Sequence, residues 1–309
     1  MRKSILHAKL ETLNRRLIHP SKEVKEELTK CAAGLEGERR IFYYLSEITG
    51  PVRTLHDIRL PFPSGYTHFQ MDTIVITRSL IIILEAKHIH GKLLFNRHSR
   101  QLIRGSDNFD DPITQVHRHK AGLEQWLDHP VPIMPAVVLT HPNVHVTLLP
   151  EDSPDRNYLL FAPEIPSKVD EFLRGKSPVL TGKEVHQLAD RLQQNHRPYD
   201  PNIMERFNVQ LHHLQKGIQC MMCGNWSVKK QKKTWICHSC TATLNNPHLP
   251  ALKDYVKLFG VKASNKQIRS FTGIESETTA KKLLQKWSVG HNGGTKGRIY
   301  TLPENWKWE

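Results

Sequence analysis

Leu6, Leu10, Leu13 and Leu17 recur at helical spacing and predict an amphipathic helix that His19-Pro20-Ser21 ends. A second helix is expected to begin near Ser21, with Glu23 in its first turn. Beyond Gly34-Leu35-Glu36-Gly37-Glu38, the run Ile41-Phe42-Tyr43-Tyr44-Leu45 predicts a third. The texture then changes to short β-type runs at 53–60, 67–76, 80–85 and 92–95, punctuated by Pro61, Pro63, Gly65 and Gly91. A helix over 112–127, strands at 136–139 and 158–161, and helices at 167–173 and 183–194 follow. This interleaving predicts an α/β fold with a central sheet. Pro198 and Pro201 mark a polar boundary region.

After that boundary a helix is expected over 252–259. Ser264 can cap a short helix carrying Ile268 and Phe271, and Ser276 a second carrying Ala280, Leu283, Leu284 and Trp287, with Gly273 in the turn between them. Helix, glycine turn, helix is the plan of a helix-turn-helix. The Gly290 to Gly297 loop and the strand-like Arg298-Ile299-Tyr300-Thr301-Leu302 resemble, generically, the wing of a winged-helix domain.

Composition adds a chemical direction. Of 309 residues, 38% are hydrophobic and 24% charged, which supports a packed core and argues against wholesale disorder. The longest aliphatic run, Leu80 to Leu84, is far too short to span a bilayer, and the first residues lack the apolar stretch of a signal peptide. A cytoplasmic protein with no membrane partner is expected. The net charge of +14 is uneven: residues 216–309 hold 16 Lys/Arg against 5 Asp/Glu, so most of the excess sits in the last third. Concentrated there, it points to a polyanionic partner.

Strand alternation sets Gln70, Asp72 and Ile74 on one face, and Glu85 and Lys87 on one face of the next strand. A hairpin of the two brings Asp72, Glu85 and Lys87 together. Two carboxylates suit a hard cation, and a lysine beside it can orient or deprotonate a bound water. With Gly34-Leu35-Glu36-Gly37-Glu38 upstream and Gly91 and Asp111-Pro112-Ile113-Thr114-Gln115 downstream, the order of elements over residues 34–130 closely resembles the nuclease-related domain (NERD) family. That family is a branch of the PD-(D/E)XK restriction-endonuclease-like superfamily. The resemblance implies a restriction-endonuclease-like core, Asp72 and Glu85 as ligands for Mg²⁺ or Mn²⁺, and Lys87 as the catalytic lysine. It also implies Glu38 as a further acidic member and Gln115 as a supporting polar residue. Met71 stands where the wider superfamily has its signature proline. His88, His90, His117 and His119 are read as surface residues, with His117-Arg118-His119-Lys120 as an alternative phosphate contact.

Four of the five cysteines form Cys220-x₂-Cys223 and Cys237-x₂-Cys240, separated by a hairpin-sized segment. In a chain not expected to be exported, this spacing predicts a structural Zn²⁺ ribbon, with iron–sulfur or redox use as the alternative. Cys31 stands apart as a small apolar residue. Lys229, Lys230, Lys232 and Lys233 crowd the hairpin tip between Trp226 and Trp235. They can touch phosphates or offset the charge of zinc-bound thiolates. On the second tail helix, Thr278, Thr279, Lys281, Lys282, Gln285 and Lys286 are expected to face outward, with Arg298 on the wing strand.

The expected organisation is a nuclease-related domain with N-terminal helices over 1–215, a zinc ribbon over 216–245 and a winged-helix-like DNA-binding domain over 246–309. The expected activity is metal-dependent hydrolysis of DNA, with RNA left open and no small-molecule cofactor implied. The alternative is a regulatory nucleic-acid-binding protein whose nuclease-like domain does not cut.

Overall fold

The computed structural model describes residues 3–294 and 297–307, so Thr295 and Lys296 of the glycine-rich loop lie outside the described residues. Two helices open the chain. Helix α1 (Ile5–Arg16) is capped by Ser4, whose side chain accepts from the His7 amide. Helix α2 (Lys22–Leu45) is continuous. The expected break at Gly34 and Gly37 is absent, because Gly37 serves packing instead. A Cβ there would meet Thr140 Oγ1 at 3.0 Å and the His88 Cβ at 3.1 Å.

The chain then forms β1 (Arg53–Pro61), β2 (His68–Ile76), β3 (Ile81–Lys87), β4 (Gly91–Asn96), β5 (Gln101–Arg104), β6 (Asp107–Asp110), α3 (Pro112–Trp126), β7 (Ile133–Leu139), β8 (Val144–Leu149), β9 (Leu159–Phe161), α4 (Ile165–Leu173) and α5 (Gly182–Asn195). The main sheet has the order β1-β2-β3-β7-β9, antiparallel from β1 to β3 and parallel from β3 to β9. A second mixed sheet runs β6-β5-β4-β8, with β4 and β8 parallel. The hydrophobic pattern leaves β5, β6 and β8 unassigned: the first two are four residues long, and β6 has one apolar residue, Phe109.

Strand alternation gives the main sheet two packed faces. Val75, Ile82, Leu84, Ala136 and Val138 pack with Ile41 of α2 and with Ile165 and Val169 of α4. Ile74, Ile76, Ile81, Ile83 and Val137 pack with Ile113, Val116 and Leu123 of α3, and with Val185, Ala189 and Leu192 of α5. Helices on both faces explain why β3 reads Ile-Ile-Ile-Leu rather than alternating with polar residues.

The remaining elements are α6 (Ile203–Arg206), the ribbon strands β10 (Val228–Gln231), β11 (Thr234–Cys237) and β12 (Thr243–Leu244), then α7 (His248–Phe259), β13 (Lys262–Ser264), α8 (Asn265–Thr272), α9 (Glu277–Trp287), β14 (Gly290–Asn292) and β15 (Ile299–Thr301). Ser264 caps α8 in a reciprocal capping box with Gln267, and Ser276 caps α9. The last three strands pair in the order β13-β15-β14.

Contacts divide the described residues into two compact units, one from 32 to 198 and one that joins those before residue 32 to those after residue 198. The second unit places α1 inside the core of the tail: Leu10 and Leu13 share a cluster with Leu252, Val256, Phe271 and Leu284. Arg16 is fully buried there, donating to Asp254 Oδ2 at 2.7 Å, with its guanidinium 4.1 Å from the Phe271 ring centre and 4.5 Å from that of Trp226. Among the described residues, no helix is long and apolar enough to cross a membrane.

Candidate active site and metal centre

The β2–β3 pairing ends at Thr73 and Leu84. One residue further, Asp72 Oδ2 accepts from the Ala86 amide at 2.8 Å, so a carboxylate takes over a backbone donor of β3. Opposite Asp72, Asp57 of β1 holds a left-handed φ of 54° and drops out of the ladder. Met71 and Phe69 lie in the same core cluster as Ile74 and Ile76, so the buried parity shifts by one across Asp72. Simple alternation along residues 70–74 therefore fails at the site itself.

Glu85 and Lys87 lie on β3, which continues to pair with β7 beyond the point where β2 leaves it. Lys87 Nζ donates to Glu85 Oε1 at 2.8 Å and to Gln115 Oε1 at 3.0 Å. Gln115 comes from the first turn of α3. Asp111 caps that helix by accepting from the Ile113 and Thr114 amides, Pro112 occupies its first turn, and Arg97 donates to the cap carboxylate. The Asp111-Pro112 motif thus fixes where α3 starts, and so where Gln115 points. A cleft of about 650 Å³ runs over this region, lined by Gln70, Asp72, Arg100, Gln115, Arg118 and His119 among others.

Like charges crowd here. Burial and the neighbouring Glu85 charge push Asp72 up to about 7. Burial together with Asp72, Asp57 and Glu85 pushes Glu38 of α2 up to about 8. Burial alone would lower Lys87, but Glu85 and Asp72 outweigh it and hold the ammonium above its ordinary value. Glu85 is 2% exposed, and its Oε2 has no hydrogen-bond partner among the described residues. The donor set fits a hard cation: each carboxylate has one oxygen committed within the protein, and the second oxygen of Glu85 is buried and unpartnered.

His119 contradicts its reading as a surface residue. It is buried at 7% exposure, with Nδ1 3.5 Å from Glu85 Oε2, and burial lowers it to about 4. The sequence carries a signal for it: Pro112, Val116, His119 and Leu123 repeat at helical period along the buried face of α3. His117 is half-buried against Tyr158, while His88 and His90 each flank His141 with ring centres 5.0 and 5.6 Å apart.

The second site is local. The sulfurs of Cys220, Cys223, Cys237 and Cys240 lie within 4.8 Å of one another; among the described residues they are the only group of three or more such ligands so close. Cys220 and Cys240 are 3.7 Å apart and Cys223 and Cys237 3.6 Å. A tetrahedral site with Zn–S bonds of about 2.3 Å has S···S edges of about 3.8 Å, whereas a disulfide needs about 2.05 Å. The quartet can therefore hold a zinc ion. Its ribbon is not free-standing: Val228, Trp235 and Cys237 share a core with Ala251 of α7 and with Ala280 and Leu283 of α9.

The tail residues separate by exposure. Thr278, Lys281, Lys282 and Gln285 form an exposed stripe on α9, Lys286 is exposed beside it, and Lys229, Lys230, Lys232 and Lys233 are exposed on the ribbon. Arg298 is half-buried. Lys229 lies 3.6 Å from Glu275, between α8 and α9. Lys230 sits over Trp235 and Lys286 over Trp287, and both rings adjoin His248.

A mixed α/β sheet with helices on both faces, carrying two carboxylates and a lysine where β2 and β3 part, defines the first unit's class. Residues 33–140 match the family model of the nuclease-related domain. No curated protein and no solved structure matches the chain.

Proposed function

We propose that this protein is a divalent-cation-dependent nuclease that hydrolyses phosphodiester bonds in DNA. The supporting observation is that Asp72 and Gln115 line one cleft, with Lys87 bonded to both Gln115 and Glu85 beside it, inside the stretch matched by the nuclease-related family. Asp72 and Glu85 would hold Mg²⁺ or Mn²⁺, which when bound supplies Lewis-acid stabilisation of charge on the phosphate. Lys87, held as an ammonium between Glu85 and Gln115, orients the attacking water and can hand over a proton from Nζ. Glu38 is a further acidic group beside the cation's place, able to ionise when a bound cation offsets the crowding that raises it, and Gln115 fixes the Lys87 rotamer. The cysteine ribbon is structural, with zinc as its ion.

We read the α7-to-β15 segment as a winged-helix-like DNA-binding module. The order helix, strand, two helices, two strands supports this, as does the exposed Thr278, Lys281, Lys282 stripe of α9. Lys229, Lys230, Lys232, Lys233, Lys286 and Arg298 extend its basic surface. In this reading the tail supplies salt-sensitive affinity and the cleft supplies the chemistry. The test is incubation of the full chain with supercoiled, linear and single-stranded DNA and with RNA, with and without Mg²⁺ or Mn²⁺. Cation-dependent cleavage of DNA abolished in Lys87→Ala supports the nuclease. Cation-independent binding with no cleavage of any substrate replaces it with a regulatory binder.

A further inference from the structure

Two buried polar atoms face each other beside the cleft with no hydrogen-bond partner among the described residues: Glu85 Oε2 and His119 Nδ1, 3.5 Å apart. Both side chains are more than nine-tenths buried, so water does not readily satisfy either. The other half of the same carboxylate is committed, since Glu85 Oε1 accepts from Lys87. Lys87 is in turn held by Gln115, one turn before His119 on α3. One helix therefore addresses both members of the Glu85–Lys87 pair, Gln115 through the lysine and His119 toward the free carboxylate oxygen.

We propose that His119 is a positioning residue, whose Nδ1–H donates to Glu85 Oε2 and fixes the plane and direction of that carboxylate for a divalent cation. The carboxylate itself selects this tautomer, because an unprotonated Nδ1 would set a lone pair against an anionic oxygen. Closing the gap by about 0.6 Å brings the two atoms to an ordinary hydrogen-bond distance of about 2.9 Å. Direct ligation by His119 is disfavoured by the same geometry: Asp72, Glu85 and His119 do not bring one ligand atom each within 4.8 Å of one another. The proposal rests on the cation-site reading of the cleft. It extends that reading to a residue whose effect passes through Glu85.

The test measures Mn²⁺ binding by calorimetry and electron paramagnetic resonance on the full chain, alongside cleavage and thermal melting. His119→Leu should weaken Mn²⁺ binding about 10- to 100-fold, the range lost when partners behind a ligand are removed. At saturating Mn²⁺, cleavage should recover to within several-fold of wild type. His119→Asn, whose amide can donate where Nδ1 does, should restore Mn²⁺ binding to within a few-fold. Equal Mn²⁺ affinity in wild type and His119→Leu overturns the proposal, as does an Asn variant as impaired as Leu. A switch of preference from Mn²⁺ to Mg²⁺ in His119→Leu overturns it in favour of direct ligation. If wild type binds Mn²⁺ in an Asp72-dependent way but cuts nothing, the nuclease reading falls and the binding series still decides His119. Wild type that binds no Mn²⁺ overturns the proposal outright.

Discussion

The ribbon takes its four thiols from residues 220–240, whereas the carboxylate–lysine cluster and its neighbours, Glu38, Asp72, Glu85, Lys87, Gln115 and His119, come from four elements, α2, β2, β3 and α3. Two pairs of the ribbon's sulfurs stand at tetrahedral edge lengths, and all four lie within 4.8 Å of one another. Burial and neighbouring carboxylate charge raise the proton affinity of Asp72 and Glu38, and one buried oxygen of Glu85 is left over. A site built from one short segment can have its geometry encoded by spacing. A site gathered by a whole fold depends on where each element ends, and the fold must hold the repulsion together.

The largest expected effect is on the local site. Freshly purified protein should carry about one zinc per chain, as a single Cys₄ site requires. Cys237→Ser should remove it, forfeiting metal-coupled folding energy on the order of 10 kcal/mol. Ribbon amides should lose hydrogen-exchange protection, and so should α7 and α9, which share the ribbon core. Residues 32–198 should stay protected. A zinc-free protein with an ordered ribbon breaks the comparison on the side of the cysteines.

Substitutions in the gathered site should cost less folding energy and more function. Lys87→Ala should lower cleavage by about 10²- to 10⁴-fold, the usual worth of a positioned proton-transfer group, while retaining cation binding. Asp72→Asn and Glu85→Gln should instead lose cation affinity and cleavage together. Calorimetry with Mg²⁺ or Mn²⁺ separates the two outcomes. Indistinguishable behaviour of all three variants means that they do not share one site.

A smaller effect concerns pH. Glu38 and Asp72 titrate in the folded protein near 8 and near 7, against about 4 in an unfolded chain. Between these values the folded state binds more protons, so their contribution is fully present below about pH 4 and is lost as pH rises through 7 and 8. Melting of the cation-free protein should therefore show a component falling from pH 5 to pH 8.5, and Glu38→Gln should flatten it. Mg²⁺ should raise the melting temperature more at pH 8 than at pH 6, because it no longer competes with protons. A pH profile unchanged by Glu38→Gln would show that the carboxylates do not repel as described.

The smallest effects belong to single lysines on α9. Lys281→Ala and Lys282→Ala should each reduce the slope of log affinity against log salt by about 1, with no change in cleavage once DNA is saturating. Filter binding over a salt series measures this. An unchanged slope in both variants removes α9 from the phosphate contact.

Much of the fold was legible because local physics dictated it. The apolar run of β3 follows from burial on both faces, the Asp111-Pro112 start of α3 from capping, and the Ser264 and Ser276 caps from unsatisfied helix-end amides. The convergence of Glu85 and Lys87 was legible from their two-residue spacing on one strand. Strands β5, β6 and β8 were not; β5 and β6 are short strands with few apolar residues, which gain stability only from neighbours absent in a linear pattern. The parity shift at Asp72 was equally hidden, because it follows from a left-handed residue on a different strand, Asp57.

By itself, then, the sequence determined most of the helices and strands, the cysteine quartet, the carboxylate–lysine pair on β3 and the basic excess of the last third. These depend on residues close together in the chain, where spacing is geometry. Tertiary structure alone decided that α1 packs into the tail, that α2 runs unbroken past two glycines, and that His119 is buried facing Glu85. The physical reason is common to the three. Apolar stripes, small residues and histidines are compatible with many neighbours, and only the packed partner, far away in sequence, selects among them.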